Sequence, residues 1–454
     1  MNTAGKFVLL LTLAVLAAGA SVAQESKPLA VIHAVLIDGS GKTPVENATI
    51  LIRDGKIVAA GPAAEVVLPK GAGIIDAAGK TAMPGLADMH VHLVGGWDGV
   101  STDILGYRQF LNALLYAGVT TVLDAGNVQP FILQLRQEIA RGRLPGPRIY
   151  CAGALIDNAD PIWPAISIAV CSVDQIPRVV EQLKKDGVDI LKAYAGLSDP
   201  LVGALAREGQ KHSLRVLSDP GRRNGSLDVM RTGIAALAHL PLVPLGDEAV
   251  SLMKGKPIHC LSTLAVFESF SRRRIVDPGF YDISLYRDTA PPWFVDDLKK
   301  DAARVLNEGD RKGVEMVGGL LKEAQANALR LMRAGVLVIA GTDAPYPGDP
   351  LGEGIHRELE LLVEAGYAPL EAITAATKNA ALFMNAAGEW GTLEPGKTAD
   401  LLIINGRPDR MIGDTRKIET VIRAGKVIDR KKLRFEVNPE TGFQVFSPKA
   451  WQKD

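Results

Sequence analysis

The chain has 454 residues, of which 47% are hydrophobic and 22% charged, and its 51 Lys+Arg balance 51 Asp+Glu to a formal net charge of zero. Domains run to roughly 100 to 200 residues, while α/β barrels commonly exceed 250, so the length fits one large domain with an accessory part. This composition excludes a disordered, collagen-like or disulfide-dense chain, and with no basic block there is no footprint for a phosphate backbone, so nucleic acid is not an expected partner.

In chain order, Lys6 precedes the apolar run 7–20 and Ser21-Val22-Ala23 follows it, the three-part pattern of a secretory signal peptide. Cleavage after Ala23 would remove residues 1–23 and place the mature chain in the periplasm or outside the cell, with no membrane attachment. The run falls short of the about 20 apolar residues of a spanning helix. Only Cys151, Cys171 and Cys260 are present, without metal-type spacing, and their pairing is left open. Residues 24–82 read as short strands at 30–37, 48–53, 56–60 and 74–76, with Asp54-Gly55 as a hairpin turn. The same pattern returns at 399–404, 418–423 and 426–428, around Ala424-Gly425. Two β patches at opposite ends suggest a small β-sandwich domain formed from both termini, its second part and a C-terminal tail occupying 397–454.

Between them, residues 83–396 alternate short apolar runs with helical stretches. Strands are expected at 86–92, 120–124, 148–154, 188–194, 215–219, 235–239, 257–264 and 336–343, and helices at 105–117, 131–141, 176–185, 201–212 and 327–334. The class is α/β, and eight βα units predict a (β/α)8 TIM-type barrel with its active site at the carboxyl ends of the strands. The least regular stretch, 267–309, reads as an excursion over the barrel mouth.

The first of these strands ends in Pro84-Gly85-Leu86-Ala87-Asp88-Met89-His90-Val91-His92. Period-2 alternation turns both imidazoles to one face, a start for a zinc-type site. Further phrases are Gly118-Val119-Thr120-Thr121-Val122, Ala340-Gly341-Thr342-Asp343-Ala344, and Thr374-Ala375-Ala376-Thr377-Lys378-Asn379-Ala380-Ala381 followed by Gly391-Thr392-Leu393-Glu394-Pro395-Gly396-Lys397-Thr398-Ala399-Asp400-Leu401. With these phrases the mature chain resembles the amidohydrolase superfamily, and within it the imidazolonepropionase-related group that includes prolidase-like dipeptidases.

The resemblance implies metal ligands at His90, His92, Lys192, His239 and Asp343, for one or two divalent ions, zinc foremost. Lys192, in an otherwise apolar strand, would be carboxylated to a bridging carbamate, since an ammonium has no lone pair to offer a metal. Strand five departs from the family: relatives carry His-x-His-Gly where this chain reads Leu217-Ser218-Asp219-Pro220-Gly221, so Asp219 stands at the ligand position and can offer oxygen. Asp343 would move protons and Tyr194 would contact the substrate. Arg222 and Arg223, in the loop after Asp219, could receive a substrate carboxylate. His33, His212, His259 and His356 fall off the metal positions, with His356 a candidate for the site lining. No phosphate loop, nucleotide fingerprint or nucleophile elbow is present.

The leading expectation is an exported metal-dependent hydrolase of amide-type C–N bonds, on dipeptides or N-acyl amino acids. Two alternatives stand beside it: a mononuclear cyclic amidase or lactonase, and a non-catalytic binding protein with a degenerate second metal site. The sequence leaves the oligomeric state open, a homo-oligomer included.

Overall fold

A computed structural model describes residues 27–94, 106–220 and 227–436. The first strands are β1 (Leu29–Leu36), β2 (Val45–Arg53), β3 (Lys56–Pro62), β4 (Gly73–Asp76) and β5 (Thr81–Pro84). The β2–β3 hairpin turns at Asp54 and Gly55 with φ of 50° and 76°, the left-handed pair that a twisted two-residue hairpin needs.

Three parallel strands come next, β6 (Leu86–Val91), β7 (Val119–Asp124) and β8 (Arg148–Cys151). A second parallel sheet contains β9 (Leu155–Asp157), β10 (Ser167–Ala169), β11 (Leu191–Ala193), β12 (Val216–Ser218), β13 (Ala236–Leu237), β14 (His259–Leu261) and β15 (Val338–Ile339), in the order β10-β9-β11-β12-β13-β14-β15. Backbone bonds link the two sheets at both margins: Met89 N–H to Ala340 O at 3.1 Å, His92 N–H to Ala344 O at 2.9 Å, and Asp189 N–H to Cys151 O at 2.9 Å. All these strands are short and mostly apolar, as expected of parallel strands covered on both faces. Ala87, Met89, Leu123, Ile190, Leu217, Ala236, Leu261 and Ile339 share one core layer with Phe383 and Trp390.

Finally β16 (Leu401–Ile404), β17 (Ile418–Arg423) and β18 (Lys426–Ile428) join the first strands in one eight-stranded sheet, ordered β18-β17-β16-β5-β1-β2-β3 with β4 on β1. Its inner strand β16 works on both faces. Leu401 and Ile403 of β16 pack with Val31, Ile50 and Ile422, while Leu402 and Ile404 belong to the large core with Leu114, Val119 and Val421. Alternation along the strand therefore fastens this sheet to the parallel part. Gly118, with φ of 75°, lies where a Cβ would come within 2.8 Å of Leu402, so only glycine allows that approach.

Each of the eight expected middle strands exists; β7 begins one residue earlier than expected and the other seven are shorter, and β5, β9 and β10 were not expected. The largest departure is helical. In place of a helix at 327–334 there is one of 26 residues, Glu308–Arg333, started by the Asn307 side chain accepting the Asp310 N–H at 2.8 Å. Gly309, Gly313, Gly318 and Gly319 hide its first half from a propensity reading. The irregular excursion is itself ordered into helices Leu264–Phe270, Ser284–Arg287 and Pro292–Ala302, around a core of Ile275, Phe280, Tyr286, Ala290 and Leu298. Among the described residues no helix is long and apolar enough to cross a membrane, and Cys151, Cys171 and Cys260 are all free thiols.

Candidate metal centre

Six side chains converge at the carboxyl ends of the parallel strands. His90 and His92 close β6, Lys192 is in the middle of β11, and Asp219, His239 and Asp343 lie just past β12, β13 and β15. The ladder between β6 and β7 slips between Asp88 and Val91, and His90 stands at that slip. One oxygen of Asp343 lies 3.0 Å from His92 Nε2 and 3.3 Å from His90 Nε2. His239 Nε2 lies 3.3 Å from Asp219 Oδ2, which is 4.0 Å from Lys192 Nζ. Lys192 Nζ is 3.2 Å from His90 Nε2. The ligand atoms of His90, His239 and Asp343 all lie within 4.8 Å of one another.

The second ring nitrogens of His90 and His92 fix their tautomers. His90 Nδ1 donates to Ala238 O at 3.0 Å and His92 Nδ1 to Gly126 O at 2.8 Å. A carbonyl only accepts, so in the neutral rings Nε2 carries the lone pair. His239 Nδ1 is bonded to the Thr263 hydroxyl at 2.8 Å. Two lone pairs therefore face a carboxylate oxygen across 3.0 to 3.3 Å, an arrangement that needs a proton or a cation between them. The donor set of imidazoles and carboxylates suits a zinc-type ion.

The electrostatics agree with shared positive charge. Burial and the neighbouring Lys192 hold His90 well below the usual imidazole value. For His92 burial acts the same way, but the hydrogen bond and charge of Asp343 win and raise it. Burial alone would raise Asp343; the His92 hydrogen bond and the charges of His239, His92 and Lys192 carry it below the ordinary carboxylate value. Lys192, wholly buried, is lowered by desolvation against the pull of Asp219 and Asp343. Asp343 also sits at φ of 74° with its N–H on His90 O at 2.7 Å. That left-handed backbone is uncommon outside glycine and clusters at functional positions.

Two buried aspartates hold the ligands from behind. Asp88 accepts from the Thr342 N–H at 3.0 Å, the Thr342 hydroxyl at 2.7 Å and the His90 N–H at 3.3 Å, tying β6 to the loop that carries Asp343; burial pushes its pKa up to about 7. Asp124 accepts from Leu93 N–H, Asn127 Nδ2 and Gly126 N–H, and so sets the carbonyl that orients His92. Neither carries a role in the sequence reading, although Asp88 stands two residues before His90.

Tyr194 is at the site, its ring 6.0 Å from Lys192 Nζ. Its hydroxyl accepts the Trp163 indole N–H at 2.8 Å, and burial, with Asp219 and Asp343 nearby, raises its pKa. Phe267 lies 6.1 Å from His239 ring to ring, and Phe270 meets Tyr346 at 5.2 Å. Trp163, Thr263, Phe267 and Tyr346 carried no signal in sequence, because they arrive from three segments far apart in the chain, Thr263 and Phe267 at the start of and within the helix Leu264–Phe270. His356 does not line the site: it is fully buried, bonded to Thr415 Oγ1 and Ala117 O, each at 2.9 Å. Arg222 and Arg223 lie outside the described residues, as does the leader expected at 1–23.

Residues 81–428 match the amidohydrolase family. The chain belongs to that family. An imidazolonepropionase of Geobacillus kaustophilus (strain HTA426) is 27% identical over 436 residues, covering 85% of this chain and 90% of the relative. An ochratoxinase of Aspergillus niger is 24% identical over 439 residues, covering 85% and 82%. The crystal structure of a Xaa-Pro dipeptidase with bound methionine superimposes with a TM-score of 0.70 at 21% identity, over 88% of this chain and 99% of that one, a likeness of fold. As an amidohydrolase, this chain is a hydrolase, and its convergent imidazoles and carboxylates occupy the carboxyl ends of its parallel strands.

Proposed function

We propose that this amidohydrolase is an exported, metal-dependent enzyme that hydrolyses an amide-type C–N bond in dipeptides or N-acyl amino acids. In this reading residues 1–23 are removed, the eight βα units of 83–396 close into a (β/α)8 barrel, and 24–82 form the sandwich domain with the β part of 397–454, a stretch that also holds the C-terminal tail. The single observation that carries it is the pair of imidazole lone pairs set against the Asp343 carboxylate at 3.0 and 3.3 Å.

His90, His92 and Asp343 would hold one ion, joined by Lys192 if it is carboxylated; His239 and Asp219, with the same lysine, would hold a second. An ion such as Zn2+ supplies acidification of water near neutral pH and polarisation of the carbonyl. The chain's own groups do the rest. Asp343, kept below the ordinary carboxylate value, accepts a proton at a carboxylate oxygen and returns it to the leaving nitrogen. Tyr194, kept protonated by burial, donates to the oxygen of the attacked carbonyl. Arg222 and Arg223 receive the substrate carboxylate, and Phe267, Phe270 and Tyr346 flank its apolar part.

Asp219 favours a second reading, a mononuclear centre on His90, His92, His239 and Asp343 that opens a cyclic amide or lactone, because its carboxylate stands where relatives carry a histidine and lies 4.0 Å from Lys192 Nζ, near enough to engage the lysine as an ion pair. Metal analysis after reconstitution with zinc and bicarbonate separates the two: two equivalents support the dinuclear reading, and one defeats it. The activity itself is tested by screening zinc-loaded protein on dipeptides, N-acyl amino acids, cyclic amides and lactones beside Asp343→Asn. Turnover by the wild type that falls at least ~100-fold in the variant is expected; equal background rates would refute hydrolysis of these compounds.

A further inference from the structure

Trp163 sits in an excursion between β9 and β10 that nothing in the ligand set explains. The carboxylate of Asp157, fully buried at the end of β9, accepts the N–H groups of Asn158 at 2.8 Å, Ile162 at 3.2 Å and Gly196 at 3.0 Å. The first two belong to the loop that carries Trp163 and the third to the loop after Tyr194. Asn158 Nδ2 adds a bond to Gly196 O at 3.3 Å. Gly196 is required there, because a Cβ would lie 2.4 Å from Asp157 Oδ1. Pro164 then keeps Trp163 out of the helical region, and its backbone stands at φ −121° and ψ 77°. Five hydrogen bonds around one buried carboxylate and one indole thus hold Trp163 against Tyr194, the last being indole N–H to phenol oxygen at 2.8 Å.

An indole nitrogen can only donate, and a phenol has one proton. With one side of the oxygen taken by Trp163, the O–H must be directed elsewhere, and a phenol that already accepts a hydrogen bond donates a stronger one. We propose that Trp163 is a positioning residue: its indole N–H orients the Tyr194 hydroxyl so that the phenol presents its proton to the carbonyl oxygen of the substrate. This rests on the hydrolytic reading above, in which Tyr194 meets that oxygen. Asp157 and Gly196 serve the same end by fixing the two loops to each other.

The test uses full-length, zinc-loaded protein labelled with 15N at its five tryptophans. Trp163→Phe identifies the Trp163 indole signal by its loss. In Tyr194→Phe that signal is expected to move upfield, as a donor without its acceptor, while the other four stay in place. On a substrate found by the screen, Trp163→Phe is expected to lower kcat about 10-fold, the value of one neutral hydrogen bond, with KM within about twofold. In the Tyr194→Phe background the same substitution should have no further effect on kcat. An indole signal unmoved by Tyr194→Phe in an active enzyme, or an equal loss of kcat from Trp163→Phe with and without the tyrosine hydroxyl, overturns the inference and leaves the hydrolytic reading standing. Absence of hydrolysis by the wild type overturns both. Should Trp163→Phe fail to fold, the shift in Tyr194→Phe, followed across all five indole signals, decides alone.

Discussion

Replacing Glu358 by glutamine is expected to stabilise the protein increasingly as pH rises while leaving its chemistry in place. Glu358 lies fully buried in the helix Glu353–Glu364. One carboxylate oxygen accepts the Ala265 N–H at 2.7 Å, at the start of the helix Leu264–Phe270, and the other has no hydrogen-bond partner among the described residues. Burial pushes its pKa from 4.5 up to about 8; bonds from Ser262 and the backbone of Leu264 and Ala265 pull the other way, and Asp88 adds a little to the rise. Between those two values the folded state keeps a proton that the unfolded chain has released. Its contribution to stability is therefore complete below pH 4.5 and is lost as pH climbs through about 8. The full loss is about 5 kcal/mol, of which about 3 kcal/mol has accrued at pH 7.

Glutamine keeps an acceptor for Ala265 N–H and has no such linkage. Urea unfolding of wild type and Glu358→Gln at pH 5.5 and 8.5 measures the difference directly. The advantage of the variant is expected to grow by about 3 kcal/mol between the two conditions, with hydrolytic activity at neutral pH within about twofold. Glu358→Ala also lacks the linkage but leaves the Ala265 N–H unpaired, so it is expected to lie about 1–3 kcal/mol below Glu358→Gln at both pH values. Parallel stability curves for wild type and Glu358→Gln would refute the reasoning, since a carboxyl that titrates normally in the fold adds no linkage.

The metal centre and its supports give further outcomes. Because Asp343 raises the pKa of His92 and a ligand must offer its lone pair, metal uptake displaces that proton; zinc affinity is expected to rise with pH, up to about tenfold per pH unit below the folded His92 value. Calorimetry in buffers of different ionisation enthalpy reads the proton release, and none released at pH 6 contradicts it. Gly126→Ala places a Cβ 2.4 Å from Leu155 Cδ2 and 3.3 Å from His92 Cε1, disturbing the carbonyl that orients His92. It is expected to weaken zinc binding about 10-fold or more, with partial recovery in Gly126→Ala/Leu155→Ala; unchanged affinity in the single variant counts against the anchoring role of Gly126.

What could be read from sequence was whatever is carried by side chains at strand ends. His90, His92, Lys192, Asp219, His239 and Asp343 each stand at or just beyond the carboxyl end of a short apolar run, and the fold collects them within a few ångströms. The aromatic partners leave no motif because Trp163, Phe267 and Tyr346 come from segments far apart in the chain, Phe267 from the helix Leu264–Phe270, and meet only in three dimensions. The glycines of the helix Glu308–Arg333 concealed it, since its C-terminal packing through Leu321, Ala324, Ala328 and Leu331 outweighs a propensity cost of about 1 kcal/mol per glycine. His356 lies near the Asp343 loop in sequence, but the direction of its helix turns it toward Ala117 and Thr415.

A deeper limit concerns the groups that aim the ligands. His90 and His92 are oriented by the carbonyls of Ala238 and Gly126, atoms that every residue possesses and that leave no mark on composition or motif. Which carbonyl reaches which ring follows from strand order. The Ala238 carbonyl stands just past β13 and the Gly126 carbonyl just past β7, so the two rings of β6 are held from two other strands. A substitution at either position that preserved the backbone would leave the tautomers intact, whereas a shift of either strand by one residue would turn a ring and point its lone pair away from Asp343. The ligand set is thus specified by side chains, while its geometry is specified by register.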